Sequence, residues 1–265
     1  MIENLAMNLG KKVALIIINE EGLIFAKRLA DFFDIELISN GVGTGQFSNI
    51  HCFDNIQDGF EYAFKNFKNI VACMASGIVV RMISRFIDSK FVDPAVVVVD
   101  NRGRYSISLL SGHEGGANLL AYEVASIIGA EPVVTTATES KKDTILGIGC
   151  KKAVKKEDIL SAINIAMKEV SVGFESIRHL ASCEIKLNEP ALWETSNELN
   201  VPILFVPVKK INREYLSFRR SLANKYFDIP SVAEASALIS SRFGRLILPK
   251  VALNGVTVAI VKEEI

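Results

Sequence analysis

Asp93-Pro94-Ala95-Val96-Val97-Val98-Val99-Asp100-Asn101-Arg102-Gly103-Arg104-Tyr105-Ser106-Ile107-Ser108-Leu109-Leu110 runs directly into Ser111-Gly112-His113-Glu114-Gly115-Gly116-Ala117-Asn118, and this stretch decides the fold. Ala95–Asp100 is a β-branched apolar run of strand length, entered through an Asp-Pro break. Asn101–Arg104 is a turn, and Tyr105–Leu110 a second strand, so the pair reads as a hairpin. The Gly-rich segment 111–116 then opens a helix from Ala117 to about Ile128. Strand, turn, strand, loop and helix in close succession point to helices layered on a sheet.

The pattern extends in both directions. Upstream, Lys12–Ile18 reads as a strand buried on both faces, followed by a helix over Glu20–Phe33. A strand at Ile35–Ser39, a helix at Asn55–Phe67 with Asn55 as N-cap, a strand at Ile70–Ala75 and a helix at Ile78–Ile87 come next. Val133–Thr138 closes this half, and the charged stretch Glu139–Asp143 is the best linker. Downstream the alternation restarts. Strands are expected at Thr144–Gly149, Pro202–Val208, Leu246–Leu248 and Val256–Val261, and helices at Glu157–Val170, Pro190–Leu199 and Ser231–Ser241. Asn254-Gly255 between the last two strands is a strong hairpin signal. The expected architecture is two three-layer α/β/α domains with mixed, mostly parallel sheets, over residues 1–140 and 141–265.

The chain has 265 residues, of which 49% are hydrophobic, enough for two modest cores. Thirty basic residues balance thirty acidic ones, which argues against a nucleic-acid partner; an anionic ligand needs a local basic patch. Four widely spaced cysteines form no CxxC pair and read as free thiols of a reducing compartment. The first twelve residues lack the pattern of a signal peptide, and no apolar run is long enough to span a bilayer, so a cytoplasmic protein without membrane association is expected.

Five places carry side chains with chemical potential. The loop Ser111–Asn118 lies where a strand meets a helix, and its glycines allow backbone N–H groups to approach an anion. His113, one of three histidines in the chain, suits acid–base work there, with Glu114 as orienter or base. The same pattern also fits a plain turn with His113 capping the helix. Ser76 and Gly77, with Arg81 one turn on, repeat the strand–small residue–helix arrangement, and Ser76 is equally readable as an N-cap. Arg102 and Arg104 in the hairpin turn suit carboxylate recognition or simple exposure. Gly149 and Cys150 end the strand that opens the second half, where neighbouring lysines could lower the thiol pKa. Glu234 sits early in an apolar helix, favourable to the helix dipole. His51 and His179 have no metal-ligand spacing, and the Gly41–Gly45 stretch lacks the spacing of a phosphate-binding P-loop; no metal site is expected.

Taken together, Gly77–Arg81, Asp93–Asp100 and Leu109–His113 with Gly115–Asn118 resemble the amino-terminal part of the CbiG family of cobalamin biosynthesis proteins, and Thr135–Thr138 fits the end of that part. Gly147–Cys150, Val232–Ala235 and Val256–Ala259 resemble its carboxy-terminal part, which is related to the stand-alone protein CobE. The family commonly has a middle region between the two parts; here Thr138 and Gly147 are almost adjacent. The resemblance implies hydrolysis of cobalt-precorrin-5A, opening its δ-lactone and releasing acetaldehyde. It implies Ser111, His113 and Glu114 near the chemistry, N–H groups of Gly112, Gly115 and Gly116 facing an oxyanion, and Ser76, Gly77, Arg81, Arg102, Arg104, Asn118, Gly149, Cys150 and Glu234 binding substrate. Cobalt arrives with the corrinoid, so no protein-held cofactor is expected. Neighbouring pathway enzymes are candidate partners, and a monomer or homodimer is expected. A non-catalytic corrinoid carrier uses the same residues and stays open at this point.

Overall fold

A computed structural model describes residues 9–42, 45–215 and 231–264. Gly43 and Thr44 of the Gly41–Gly45 stretch, and the first eight residues, lie outside the described residues. The backbone divides into two compact units, the first ending at Thr136 and the second beginning at Ala137.

The first unit is a seven-stranded sheet flanked by helices. Its strands are β1 (Lys12–Ile17), β2 (Asp34–Ser39), β3 (Ile50–Cys52), β4 (Asn69–Cys73), β5 (Ala95–Val99), β6 (Tyr105–Leu110) and β7 (Glu131–Val133), in the order β3-β2-β1-β4-β5-β6-β7. Every neighbouring pair is parallel except β5 with β6. The central strands are apolar on both faces because helices cover both: α1 (Glu21–Ala30) packs beside α4 (Ala117–Ile128), and α2 (Ile56–Asn66) beside α3 (Ser76–Ile83). This two-sided burial is most complete in β5, where all five residues from Ala95 to Val99 are buried. Asn55 caps α2 through its side chain, which accepts the Gln57 N–H at 3.0 Å. Ser76 is not a cap: Ala75 holds that position, with no side-chain hydrogen bond to the helix start.

The second unit has five strands in the order β10-β9-β8-β12-β11: β8 (Thr144–Cys150), β9 (Ile177–Cys183), β10 (Ile203–Val206), β11 (Gly244–Leu253) and β12 (Val256–Glu263). The pairs β10/β9 and β9/β8 are parallel, and β8/β12 and β12/β11 antiparallel. Helices α5 (Lys156–Val170) and α6 (Pro190–Leu199) pack together, as do α7 (Val208–Tyr215) and α8 (Val232–Ser240). Asn254 and Gly255 both take positive φ, 50° and 82°, and join β11 to β12 as the Asn-Gly signal requires.

The antiparallel pairing of β6 has the largest consequence for the site. β4 and β5 run the same way, so the start of α3 and the Asn101–Arg104 turn lie at the carboxyl edge of the sheet. β6 runs back, so the loop after Leu110 lies at the opposite edge, beside Asp93 at the entrance to β5. Five strand residues at about 3.3 Å each separate the two edges by ~16 Å.

Candidate functional site

The Ser111–Asn118 loop is held in one shape by its own backbone. Ser111 has φ +55°, a conformation that costs a non-glycine residue about a kcal/mol or more and persists only where the surroundings impose it. They do so here. The Ser111 carbonyl accepts the N–H groups of Gly115 (3.1 Å) and Ala117 (3.2 Å), and the Gly112 carbonyl accepts that of Asn118 (2.9 Å). Gly115 presses on Ser111 so closely that an added Cβ would lie 2.4 Å from the serine Cβ. Gly116, at φ +88°, is the N-cap of α4, so His113 does not cap the helix.

Asn118 fastens the loop to the sheet. Its Oδ1 accepts the Ser108 hydroxyl at 2.8 Å and its Nδ2 donates to Thr136 Oγ1 at 3.0 Å. It is a buried clamp rather than a group facing a ligand. Ser111 is likewise buried, and its hydroxyl has no hydrogen-bond partner among the described residues. Buried Ser111 is therefore placed to shape the loop, not to attack a substrate. The Gly115 N–H, expected to face an oxyanion, is taken up by the Ser111 carbonyl. Those of Gly112, His113 and Gly116 make no hydrogen bond among the described residues. The His113 side chain is exposed. Glu114 does not orient it: its carboxylate pairs with Lys90, whose hydrogen bond holds the Glu114 pKa below the usual carboxylate range.

The other first-unit candidates form a separate group at the carboxyl edge. Ser76 and Gly77 are exposed at the start of α3, and Arg81 Nη1 folds back to the Gly77 carbonyl at 2.9 Å. Arg102 is exposed in the hairpin turn, and Arg104 Nε donates to Asp100 Oδ2 at 3.0 Å. Asp100 organises that turn. Burial raises its pKa, but the N–H groups of Tyr105, Arg104 and Arg102 and the Arg104 side chain outweigh burial and hold it below the ordinary value. A lowered folded pKa gives stability that is complete above the ordinary carboxylate range and lost as pH falls through the lowered value. Asp100→Asn is therefore expected to cost about 1 kcal/mol at pH 7 in urea unfolding, with variant and parent converging once acid protonates the carboxylate. A gap that stays the same in acid would contradict this account of the turn.

In the second unit, Gly149 lies against the start of α8: an added Cβ would stand 2.5 Å from Thr257 Oγ1 and 3.5 Å from Val232 Cβ. Burial pushes the Cys150 thiol up to about 11, the opposite of the lysine-activated nucleophile, so it is protonated at neutral pH. Glu234 accepts the Lys250 backbone N–H at 3.0 Å and so ties α8 to β11. Nearby, the starts of α5 and α6 border a cavity of about 560 Å³ whose lining includes Lys152, Lys155, Lys156 and Glu189. Glu189 is buried there and accepts the Ala153 N–H at 3.1 Å.

The remaining histidines are committed to structure. His51 stacks on Phe53 at 4.6 Å and faces the Glu36 carboxylate. His179 is fully buried in β9, and burial pushes its pKa down to about 3, so it is neutral. Among the described residues no three His, Cys, Asp or Glu side chains converge as a metal site, and no helix is long and apolar enough to cross a membrane. Sequence reading missed Lys90, Ser108 and Thr136. Lys90 lies in a turn that carries no motif, and Ser108 and Thr136 look like ordinary strand and loop residues until Asn118 bridges them.

Two family models match the chain: "Cobalamin synthesis G N-terminal" over residues 58–139 and "Cobalamin synthesis G C-terminus" over residues 144–261. Among curated proteins, the chain is 38% identical over 133 residues to the cobalt-precorrin-5A hydrolase of Salmonella typhimurium, a match covering 49% of this chain and 36% of that protein. It thus spans only about a third of that relative's length. To the "Probable cobalt-precorrin-5A hydrolase" of Methanocaldococcus jannaschii it is 22% identical, over 76% of this chain and 87% of the relative. It is 25% identical to "Protein CobE" of a Sinorhizobium species, over 46% of this chain and 82% of that protein.

Proposed function

Because the chain belongs to the cobalamin synthesis G family, we propose that it hydrolyses cobalt-precorrin-5A to cobalt-precorrin-5B and acetaldehyde, in the cytoplasm, at the Ser111–Asn118 loop. One feature carries this assignment: a strained loop, over-determined by Gly115, Gly116 and Asn118, that leaves three N–H groups without a partner among the described residues beside an exposed histidine. Strain of this kind is costly to keep and serves to pre-organise donors.

The chemistry follows from that arrangement. His113 takes a proton from water as the water oxygen adds to the lactone acyl carbon. The N–H groups of Gly112 and Gly116 face the negative charge that develops on the acyl oxygen. The acyl–oxygen bond then breaks, and protonated His113 returns its proton to the departing alkoxide, leaving a hydroxyl and a carboxylic acid that ionises to solvent. The imidazole, neutral again, takes the proton of that hydroxyl as it becomes the carbonyl of acetaldehyde, and the electron pair of the broken carbon–carbon bond stays with the macrocycle. The cobalt is part of the substrate. Asn118, Ser111 and Gly115 act through the loop by fixing its shape.

The groups at the carboxyl edge of the first sheet, Ser76, Gly77, Arg81, Arg102 and Arg104, stand ~16 Å from this loop and so do not reach the lactone with it; their part is to bind the periphery of the broad corrinoid, the arginines meeting its carboxylates. A carrier role is the competing reading. Incubation with cobalt-precorrin-5A and mass spectrometry of the corrinoid separates the two: conversion to cobalt-precorrin-5B is expected, and recovery of unchanged substrate bound to the protein would favour the carrier.

A further inference from the structure

We propose that the turn Ser89–Val92 forms an apolar wall of the same site, presenting Phe91 and Val92 to the face of the corrinoid macrocycle; this rests on the function proposed above. Phe91 and Val92 are 76% and 70% exposed, an adjacent pair of large apolar side chains turned to solvent. Such a pair is unfavourable in water unless something covers it.

The turn that carries them is built, not loose. The Ser89 carbonyl accepts the N–H groups of Val92 (3.0 Å) and Asp93 (2.9 Å). The buried Asp93 carboxylate accepts the Asp88 N–H at 3.1 and 3.3 Å. Two links then dock the turn on the candidate loop. The Asp93 carbonyl lies against Gly115, where an added Cβ would stand 3.3 Å away, and Lys90 pairs with Glu114. The turn that bears the apolar pair is thereby fastened to the loop at Glu114 and Gly115, the chain neighbours of His113 and Gly116.

The chemistry of the neighbouring surface selects the occupant. A corrinoid has broad apolar faces and a rim of carboxylates. Phe91 and Val92 suit the face. Lys90, whose Nζ stands 4.9 Å from the Phe91 ring centroid and pairs with Glu114, gives the apolar pair a polar border, as the polar rim of the macrocycle requires. A macrocycle seated on this wall brings its periphery, where the lactone is, towards the loop.

Steady-state turnover of cobalt-precorrin-5A, read as acetaldehyde, tests this with the full chain, Phe91→Ser/Val92→Ser and Phe91→Leu. The double substitution is expected to raise KM about tenfold while kcat stays within about twofold, and Phe91→Leu to restore a KM near that of the parent. Both side chains are exposed, so thermal unfolding should be unchanged and a folding defect is directly visible. An unaltered KM in the double variant, with the parent active, overturns the wall and leaves the proposed function standing. So does a parent dimer that the double substitution dissociates without changing KM, which assigns the pair to a second copy of the chain. A parent that releases no acetaldehyde overturns the proposed function, and the wall falls with it.

Discussion

His113→Ala is expected to release acetaldehyde from cobalt-precorrin-5A at least ~100-fold more slowly than the parent chain, the usual scale for losing a positioned acid–base group. The imidazole is exposed, and no part of the fold rests on it. The loop's shape comes instead from the Ser111 and Gly112 carbonyls, the close approach of Gly115 and the Asn118 clamp. Corrinoid binding and thermal stability should therefore survive the substitution while kcat falls. That split distinguishes a group used in the chemistry from one that supports the loop. Asn118→Ala should behave differently, lowering kcat together with stability, because it removes two half-buried side-chain hydrogen bonds that fasten the loop to the sheet. Full activity in His113→Ala would contradict the assignment of the base.

Gly147→Ala is expected to destabilise the second unit by about 3 kcal/mol or more, since overpacking against backbone has little room to relax. Gly147 lies inside β8, packed against the backbone of α8. A Cβ there would stand 1.8 Å from the Ala233 carbonyl oxygen and 2.9 Å from the Ala237 Cβ. The nearest atom is main chain, so no rotamer change relieves it, and α8 must lift. Lifting it loosens the apolar cluster of Ile145, Ala181, Ala237 and Val261. Urea unfolding followed by circular dichroism checks this; a midpoint unchanged from the parent would contradict the packing described.

Much of this architecture was legible from the residues. The continuous apolar runs of β1 and β5, the Asn55 cap and the Asn254-Gly255 turn each carry a local cause that tertiary context did not override. β9 was not legible, because Arg178, His179 and Ser182 interrupt its apolar run, yet His179 and Ser182 are buried. β3 is three residues long and depends on its parallel partner β2. Within the site, the Gly-rich loop was legible as a place, and its internal bonding was not. Only the folded loop reveals that the Gly115 N–H is consumed and that Asn118 is a clamp. The hairpin of β5 and β6 was legible too, but its consequence was spatial. Reversal at Arg102–Arg104 carries the chain to the opposite edge, so the Gly77–Arg81 and Ser111–Asn118 segments, similar in pattern, do not meet.

Acetaldehyde trapping under multiple turnover separates hydrolysis from carriage. With protein at roughly one-hundredth of the cobalt-precorrin-5A concentration, hydrolysis predicts trapped acetaldehyde rising to the level of the corrinoid and a corrinoid product of cobalt-precorrin-5B mass. A corrinoid absorbance change that saturates at one equivalent of protein, with no acetaldehyde trapped, would contradict it and make the chain a carrier.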